Sequence, residues 1–479
     1  MDKMNFKQFA FSGDLLKAIE KLGYETPTEV QMKVIPPVME DQDMIVNAPT
    51  GSGKTAAFAI PICEKTELET RYPQCLVLTP TRELAVQVAE DISNIGRFKR
   101  IRAAAIYGQQ PIYMQKSQLR QRVHIIVATP GRILDHMERN NVNLEKIKYL
   151  VIDEADEMLN MGFIEQVEDI LETLPKNRIS LLFSATMPEE IQKIGDQYMH
   201  DPVKIEIVSN NPTTEKIKQV YYKVEQQEKF ELLRKIIYTQ RPDSCLVFCH
   251  TREKVEQLLQ SMKDEHYSCS GLHGGMEQRE RLVAMQSFKR GNFRFLIATD
   301  VAARGIDIDD LSLVINYDLP FEKEKYVHRI GRTGRIGNVG MAVSFVSEYE
   351  IKMFHAIEDY VNYKIPAGKD LSIEEVEQGK ERFGKMLSTR PKVKMDSSAE
   401  LNKEIMKLRI NAGKKKKMRP SDILGALTKI EGVCAHDVGI IDVQDTCSYI
   451  EILDNKGPLV QVALQNMQIK GKNVSVKRV

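Results

Sequence analysis

Short apolar runs recur along most of the chain, each followed by a polar or glycine-containing turn and then a helix-like stretch. In the first part these runs cover residues 44–46, 76–78, 125–127, 150–152 and 181–183. In the second part they cover residues 246–248, 295–297, 313–315 and 343–346. Apolar runs of this length that alternate with amphipathic segments are typical of buried strands in parallel sheets. The pattern predicts an α/β protein with two parallel-sheet domains.

Breaks in this pattern predict the domain boundaries. A polar stretch that includes Pro212 separates the two series and is suited to a linker. We therefore expect a first domain over residues 1–207, a linker over 208–216 and a second domain over 217–365. Residues 366–402 are charged and helix-prone, so they are predicted to form an extension or tether.

A third unit with a different rhythm is predicted over residues 403–479. Its pattern predicts a strand at 406–410, a helix at 420–430, strands at 440–443 and 449–453, a helix at 458–466 and a strand at 473–478. The order βαββαβ is that of the ferredoxin-like fold, which RNA-recognition domains share. We expect a small α+β domain of this kind.

Composition narrows the class of protein. The chain has 479 residues, 42% hydrophobic and 28% charged, as expected for a globular protein of several domains. No apolar run approaches the roughly 20 residues that span a bilayer, and the first residues lack the layout of a signal peptide. The seven cysteines are scattered and lack zinc-site spacing. These features predict a reduced, cytoplasmic protein without a membrane partner.

Basic charge is concentrated at the end of the chain. Residues 404–479 hold ten Lys and three Arg against eight Asp plus Glu, a net charge of +5, which leaves −4 for the rest of a chain whose total is +1. Four consecutive lysines lie at its centre: Lys414, Lys415, Lys416 and Lys417. Such a run is either a solvated loop or a nucleic-acid contact.

Residues 48–55, Ala-Pro-Thr-Gly-Ser-Gly-Lys-Thr, follow a predicted strand and precede a helix. Gly51 and Gly53 would let backbone N–H groups converge on phosphate oxygens. Lys54 would reach the β- and γ-phosphates, and the Thr55 hydroxyl would ligate Mg²⁺. The strict P-loop pattern begins with Gly rather than Ala48, so a chance glycine loop is the alternative interpretation of this motif.

An acidic cluster, Asp153-Glu154-Ala155-Asp156, follows the predicted strand at 150–152. In open α/β sheets this edge is where ligands bind. Asp153 is interpreted as a carboxylate that holds Mg²⁺ largely through water, and Glu154 is placed to polarise the attacking water. Asp156 partly serves as a helix cap. Together the two motifs predict an ATPase.

These two patterns, with the literal Asp-Glu-Ala-Asp, make residues 1–365 resemble the DEAD-box RNA helicases. Residues 23–31 match that family's Q motif, and the resemblance implies that the Gln31 amide reads the adenine edge of ATP, with Phe6 at the associated aromatic position. The ATP-binding residues that the resemblance implies are Phe6, Gln31, Ala48, Thr50, Gly51, Ser52, Gly53, Lys54, Thr55, Gly305 and Asp307.

Residues 328–335 pack His328 and three arginines into eight positions, which alone indicates a phosphate- or carboxylate-binding loop. The resemblance implies that Arg332 and Arg335 are arginine fingers on the γ-phosphate when the two domains close. It also implies that Asp307 contacts the ribose. Lys54, Glu154, Arg332 and Arg335 are therefore the implied catalytic set.

The resemblance further implies coupling and RNA-contacting residues. Coupling between phosphate state and domain closure would involve Ser184, Thr186, Asp156 and His328. Contacts to RNA phosphates and sugars are implied for Pro80, Thr81, Arg82, Gly108, Thr129, Pro130, Gly131, Arg132, Gly274, Gln278, Arg281, Thr299 and Asp300. One departure is Gln109, which stands where the family has the second of two glycines.

The C-terminal unit resembles that of the bacterial DbpA/YxiN helicases. This resemblance implies binding to a hairpin of large-subunit (23S) ribosomal RNA during assembly of the large subunit from its precursors. The first predicted strand has no aromatic residue and the third offers only Tyr449, so the usual base-stacking platform is mostly missing. Affinity is instead expected from the four lysines at 414–417 and from Arg419.

The implied activity is local, non-processive unwinding of RNA by a chain whose composition is compatible with a monomer. One alternative is an ATP-gated RNA clamp or assembly scaffold with little turnover. The presence of Glu154, Arg332 and Arg335 argues against a clamp, which need not keep its catalytic groups. A second alternative is a DNA helicase, although 2′-hydroxyl contacts would favour RNA.

Overall fold

A computed structural model describes residues 5–49, 51–207, 217–303, 308, 310–334, 340–387, 389, 391 and 397–479. The predicted linker at 208–216 lies outside these residues. Contacts divide the chain into two compact units. One contains the first sheet domain and the C-terminal domain, and the other contains the second sheet domain.

The first sheet domain is built on parallel strands. They are β1 Met44–Asn47, β2 Cys75–Leu78, β3 Ala103–Ile106, β4 Ile125–Ala128, β5 Tyr149–Ile152, β6 Ile179–Ser184 and β7 Val203–Glu206. Their spatial order is β3-β4-β2-β5-β6-β1-β7. Alternate side chains of one strand enter two different cores, Val77 on one face and Leu76 and Leu78 on the other. Because both faces are buried, the strands read as continuous apolar runs.

Helices cover both faces of this sheet. They are α1 Gly13–Lys21, α2 Glu29–Met39, α3 Lys54–Lys65, α4 Arg82–Ile95, α5 Ile112–Leu119, α6 Pro130–Glu138, α7 Ala155–Asn160, α8 Ile164–Thr173 and α9 Glu189–Tyr198. Helices α3, α4, α6 and α7 begin directly after a strand, so their N-termini lie at the carboxyl edge of the sheet. That edge collects the predicted site residues of this domain.

The second sheet domain repeats this plan. Its strands are β8 Ile217–Lys223, β9 Cys245–Cys249, β10 Cys269–Leu272, β11 Phe295–Thr299, β12 Leu313–Asn316 and β13 Gly340–Val346, in the spatial order β10-β11-β9-β12-β13-β8 and paired in parallel. Its helices are α10 Lys229–Gln240, α11 Arg252–Asp264, α12 Gln278–Lys289, α13 Asp300–Ala303, α14 Lys323–Ile330, α15 Ile351–Val361 and α16 Ile373–Leu387.

Helix α16 falls within the predicted extension at 366–402 and packs into the second sheet domain. Phe383 is buried, with its ring centroid 5.7 Å from that of Tyr267 and 6.2 Å from that of Phe295. The guanidinium of buried Arg294 donates to the carbonyls of Met386 at 3.1 Å and Thr389 at 2.9 Å. This part of the predicted tether therefore stabilises the core of the second domain.

The C-terminal domain has the predicted ferredoxin-like order. Its elements are α17 Ser397–Lys403, β14 Met406–Ile410, α18 Pro420–Leu427, β15 Val438–Val443, β16 Ser448–Ile452, α19 Gly457–Asn466, β17 Gln468–Ile469, β18 Lys472–Asn473 and β19 Val476–Arg478. Strands pair antiparallel in the order β15-β16-β14-β19. The predicted last strand at 473–478 is divided, because β17 and β18 form a hairpin before β19.

All seven cysteines are free. Cys434 is exposed, whereas desolvation by burial raises the pKa of the Cys63 thiol to about 12. Among the described residues, no helix is both long enough and apolar enough to cross a bilayer.

Candidate functional site

The loop between β1 and α3 has the backbone of a phosphate-binding turn. Gly51 and Gly53 have φ of +75° and +92°, a left-handed conformation that favours glycine. Lys54 is buried, and its Nζ donates to the Ala48 carbonyl at 3.0 Å. It forms no ion pair with Asp153 among the described residues, so its charge is available to an anion. Thr50 lies outside the described residues.

Gln31 joins the Q motif to this loop. It is 2% exposed and forms a capping box with Thr28, whose N–H donates to Gln31 Oε1 at 2.9 Å. The Gln31 amide also donates to the Gly53 carbonyl at 3.4 Å, and the Thr28 hydroxyl donates to the Ser52 carbonyl at 2.9 Å. A β-carbon at Gly53 would lie 2.7 Å from Gln31 Nε2. Helix α2 is thus held directly against the loop.

Phe6 lies in a short 3₁₀ helix, Phe6–Phe9, and is buried. Its ring centroid is 6.2 Å from that of Tyr24, which belongs to the Q motif. The structure therefore places Phe6 beside the segment with which it was predicted to act.

Asp153 ends β5 and is 3% exposed. Desolvation by burial raises the pKa of this carboxyl and the charge of Asp156 adds to the rise, whereas the charge of Lys54 lowers it. A buried carboxylate of this kind is suited to a cation. Among the described residues, no group of three or more His, Cys, Asp or Glu could enclose a metal. Thr55 and Asp153 are the residues predicted to hold Mg²⁺, an ion that keeps several waters and takes few protein ligands.

Glu154 occupies the turn between β5 and α7 with φ of 55° and ψ of 53°. A left-handed conformation costs a residue other than glycine about 1–2 kcal/mol. The structure therefore holds strained backbone at the residue predicted to act on the attacking water.

Asp156 connects α7 to the segment that follows β6. Its carboxylate accepts from the N–H of Ala185 at 3.2 Å, and from the N–H and hydroxyl of Thr186 at 2.9 and 3.0 Å. Its own N–H donates to the Ser184 hydroxyl at 3.2 Å. Three of the four predicted coupling residues are thus directly bonded. The fourth, His328, lies on α14 of the second sheet domain.

The predicted RNA loops of the first sheet domain adjoin one another. Thr81, which follows Pro80, caps α4 by accepting from Leu84 N–H at 3.2 Å. A β-carbon at Gly108 would lie 3.4 Å from Arg82 Nε. Gln109 is exposed and has φ of +61°, so this glycine-like position is filled by a strained residue.

Gln115 organises these loops, although no motif marks it. It is fully buried, and its amide donates to the Tyr107 carbonyl at 2.8 Å and to Gln110 Oε1 at 2.7 Å. Its oxygen accepts from Arg132 Nη1 at 3.0 Å. Arg132 lies on α6, which begins at Pro130 and includes Gly131, directly after Thr129. One buried amide therefore ties two predicted RNA loops together.

Asp300, a predicted RNA contact, is partly buried and forms an ion pair with the buried Arg329 in the second sheet domain. Arg329 Nε lies 2.6 Å from its Oδ1, and Arg329 Nη2 lies 2.6 Å from its Oδ2. Arg329 Nη1 also donates to Asn316 Oδ1 at 3.0 Å and to the Asp318 carbonyl at 2.7 Å. This role of Arg329 was not predicted from the sequence.

Other predicted RNA contacts lie around the carboxyl edge of the second sheet. Thr299 ends β11, Gln278 begins α12, and both are buried. Arg281 Nη2 donates to the Ala302 carbonyl at 3.4 Å. Gly274 is exposed, and a β-carbon there would meet nothing within 4 Å.

Arg332 is the predicted arginine finger that the structure describes. It is partly exposed, and its Nε donates to the His328 carbonyl at 3.3 Å. Its carbonyl accepts from Leu311 N–H at 2.9 Å. Gly305, Asp307 and Arg335 lie outside the described residues.

Lysines from two segments meet in the C-terminal domain. The lysine run contains a 3₁₀ helix, Lys414–Lys416, and all four of its side chains are exposed. Lys470 Nζ donates to the Lys417 carbonyl at 3.1 Å, and Lys472 Nζ donates to the Lys416 carbonyl at 2.6 Å. We call these six lysines, together with Arg419 at the start of α18, the basic edge. The contribution of the β17–β18 hairpin was not predicted.

Family models match three regions of the chain. The DEAD/DEAH box helicase model matches residues 28–194, the helicase conserved C-terminal domain model matches residues 228–337, and the DbpA RNA binding domain model matches residues 407–478.

Whole-chain comparisons agree with these matches. The chain is 52% identical over 474 residues to the ATP-dependent RNA helicase DbpA of Bacillus subtilis, which covers 99% of both chains. It is 43% identical over 378 residues to the helicase CshA of Geobacillus kaustophilus, covering 79% of this chain and 81% of the relative. The solved structure of S. cerevisiae Dbp5 bound to RNA and ADP BeF3 is 31% identical, with a TM-score of 0.71, and covers 80% of this chain and 98% of that one.

The chain therefore belongs to the DEAD-box ATP-dependent RNA helicases, and within them to the DbpA type. This confirms the predicted family, the predicted enzymatic activity and the predicted fold: two parallel-sheet domains, called RecA-like from here on, followed by a small RNA-binding domain.

Proposed function

We propose that RNA-stimulated ATP hydrolysis by this helicase drives local, non-processive remodelling of 23S ribosomal RNA during assembly of the large ribosomal subunit. The observation that carries the proposal is the basic edge of the C-terminal domain. Six lysines and Arg419 are gathered there from two segments of the chain. Tyr449 is the only aromatic residue in residues 404–479. A surface rich in cations and poor in aromatics suits the phosphates of a folded hairpin better than stacked single-stranded bases.

In the nucleotide site, Lys54 and the N–H groups of the glycine loop would hold the phosphates, with Gln31 on the adenine. Mg²⁺ held by Thr55 and, through water, by Asp153 would neutralise charge on the phosphate oxygens. Glu154 would orient and polarise the attacking water. Arg332 and Arg335 would stabilise transition-state charge when the two RecA-like domains close.

Coupling to RNA would run through the bonds of Asp156. Because its carboxylate holds Ala185 and Thr186, a shift of the acidic loop on hydrolysis would move the segment after β6. Domain closure would then hold one RNA strand bent, and phosphate release would free it. We propose a cytoplasmic monomer that acts on precursors of the large subunit.

Steady-state ATPase activity with three RNAs at equal nucleotide concentration tests this function. The RNAs are whole ribosomal RNA, a fragment of its large-subunit peptidyl-transferase region, and poly(A). Strong stimulation by the first two, and weak stimulation by poly(A), is expected. Equal stimulation by all three would leave a helicase without the proposed target. RNA and ATP binding without faster phosphate release would instead support an ATP-gated clamp.

The role of the basic edge is tested by Lys416→Glu. This change should weaken binding of the ribosomal fragment and reduce the salt dependence of its affinity, because a phosphate contact is lost. Lys429→Glu is the matched control. Lys429 is exposed beyond the far end of α18, a helix whose eight residues span about 12 Å by helix rise. Equal losses in both variants would exclude the basic edge as the RNA surface.

A further inference from the structure

The sheet of the C-terminal domain has one face covered by its own helices. Ile450 and Ile452 of β16 point into the core shared with α18 and α19. Strand alternation places Glu451 on the opposite face, where it pairs in register with Lys407. In RNA-recognition domains this open face is the usual site for RNA. Here Glu451 is only 7% exposed.

The first RecA-like domain covers Glu451. Arg97, just after α4, places Nη1 2.7 Å from Glu451 Oε1, and the two side chains are 16% and 9% exposed. Arg100 donates to the Ala435 carbonyl, and Arg102 donates to the Ile441 carbonyl of β15. Three arginines of one loop thus reach the C-terminal domain.

Charges on the two sides are complementary. Desolvation by burial lowers the pKa of the Arg102 guanidinium, and the charges of Asp442 and Glu451 oppose this shift. Asp442 and Glu451 lie on neighbouring strands, β15 and β16. An acidic strip on the open sheet face therefore meets a basic loop, and acidic residues repel RNA phosphates.

A second row of contacts extends the interface. Lys17 pairs with Asp454 at 2.6 Å, and Lys21 pairs with Glu404 at 2.7 Å. Between the ion pairs lies a buried apolar cluster made of Ala18, Phe98, Leu401 and Leu453. Apolar residues at the centre and charges at the rim are the arrangement of a specific interface.

We propose that the open sheet face of the C-terminal domain, at β15 and β16, is a docking surface for α1 and the α4–β3 loop of the first RecA-like domain and not an RNA platform. RNA bound on the basic edge is then carried in a defined orientation relative to the first RecA-like domain. The docking needs no particular RNA sequence, so it does not depend on the ribosomal target proposed above.

The hydrogen bonding of the interface is incomplete. Arg97 Nε, Glu451 Oε2 and Asp442 Oδ1 are buried and make no hydrogen bond within the described residues. Buried polar atoms without partners weaken an interface. A single charge reversal should therefore release the domain.

Hydrogen exchange of the full chain tests the docking. In Glu451→Arg, amides of α1 and of residues 96–102 should exchange about tenfold faster, as expected when a covering domain leaves. The charge-swapped double variant Arg97→Glu/Glu451→Arg should restore protection. Amides of α18 should exchange at the same rate in all variants, because the domain stays folded. Glu431→Arg, at an exposed position of the same domain, is the control and should change nothing. Unchanged exchange in Glu451→Arg would overturn the proposal.

Measurements of RNA affinity distinguish a sheet face that docks on the first RecA-like domain from one that binds RNA. Glu451→Arg and Glu431→Arg add the same charge, so their affinities for the ribosomal fragment should agree within about twofold. Much tighter binding by Glu451→Arg alone would show that the sheet face holds RNA. Failure of the ribosomal target would appear in the ATPase comparison and would leave the exchange result intact.

Discussion

The two RecA-like domains differ in how they compensate the charge of a carboxylate at the carboxyl end of a strand. In the first domain, Asp153 is buried near Lys54 without an ion pair to it, and its pKa is raised. In the second domain, the Asp300 carboxylate accepts hydrogen bonds from Nε and Nη2 of Arg329. One domain leaves a charge to be satisfied by a ligand, and the other satisfies the charge internally.

A second buried cation of this domain is also paired internally. Lys229 is 1% exposed and lies 3.0 Å from Asp318 Oδ1 and 3.1 Å from Glu350 Oε2. Internal pairing thus marks residues that hold the second domain together. An unpaired buried charge, as at Asp153, marks the place where a ligand is expected.

The largest expected effect comes from Asp300→Asn. Because this change leaves the Arg329 guanidinium buried without its counter-charge, we expect a loss of about 3–5 kcal/mol in the free energy of unfolding of the second domain. Urea denaturation measures it. Lys223→Met is the comparison, because it removes an exposed ion pair in which Lys223 Nζ lies 3.9 Å from Glu348 Oε1. This change should cost about 0.5 kcal/mol or less in the free energy of unfolding. A small loss in Asp300→Asn would mean that the pair is not structural.

His124 shows a third way to bury a titratable group, as a neutral ring. It is 3% exposed, and desolvation by burial lowers its pKa to about 4. Between about pH 6.5 and pH 4 the unfolded chain binds a proton that the folded domain does not. The stability from this group is therefore complete above pH 6.5 and declines as the pH falls, by on the order of 3 kcal/mol.

Across this pH range, the free energy of unfolding should change less with pH for His124→Gln than for the wild type. His200→Gln is the control, since the His200 side chain is 94% exposed. Identical pH dependence in the wild type and His124→Gln would show that folding does not shift the pKa of His124.

Asp153→Asn should have a smaller effect of the opposite sign to Asp300→Asn. Because the pKa of Asp153 is raised, its ionised form destabilises the fold increasingly as the pH rises above 3.8. Neutralising it should increase the free energy of unfolding without nucleotide at pH 7, while ATPase activity falls by about 10²-fold or more. Asp196→Asn, exposed on α9, should change neither. Destabilisation by Asp153→Asn would remove the contrast between the two domains.

Backbone strain near the RNA loops gives the smallest expected effect. Gln109 has φ of +61°, which glycine adopts freely, so Gln109→Gly should stabilise the first domain by about 0.5 kcal/mol. Gln118→Gly, in the helical and exposed part of α5, should instead destabilise it by about 1 kcal/mol. Thermal denaturation of both variants measures the difference. Equal destabilisation would show that position 109 carries no strain.

The strands that were predicted from the sequence are all interior strands of the two parallel sheets. Those that were not, β3, β7, β8 and β10, are the edge strands of their sheets. A central strand is buried on both faces and shows a continuous apolar run. Edge strands are less covered, so β7 reads Val-Lys-Ile-Glu and β3 is mostly alanine.

The residues of the candidate site also differ in how far the sequence predicts them. Lys54, Asp153 and other motif residues could be predicted as candidates because ligand chemistry requires them at fixed spacing. Residues that orient them could not, because their partners come from separate elements. Gln115 and Arg132 are 17 residues apart, and Asp300 and Arg329 are 29 apart. Only the fold shows that they meet.

The contact between Gln31 and Gly53 has an evolutionary consequence. A β-carbon at position 53 would lie 2.7 Å from the Gln31 amide, so a larger residue there would displace the Gln31 side chain from its present position. A lineage that replaced Gly53 would therefore have to move or replace the Gln31 side chain, and would also place a β-carbon on a left-handed backbone. Position 53 is therefore constrained by the Q motif as well as by its own backbone conformation.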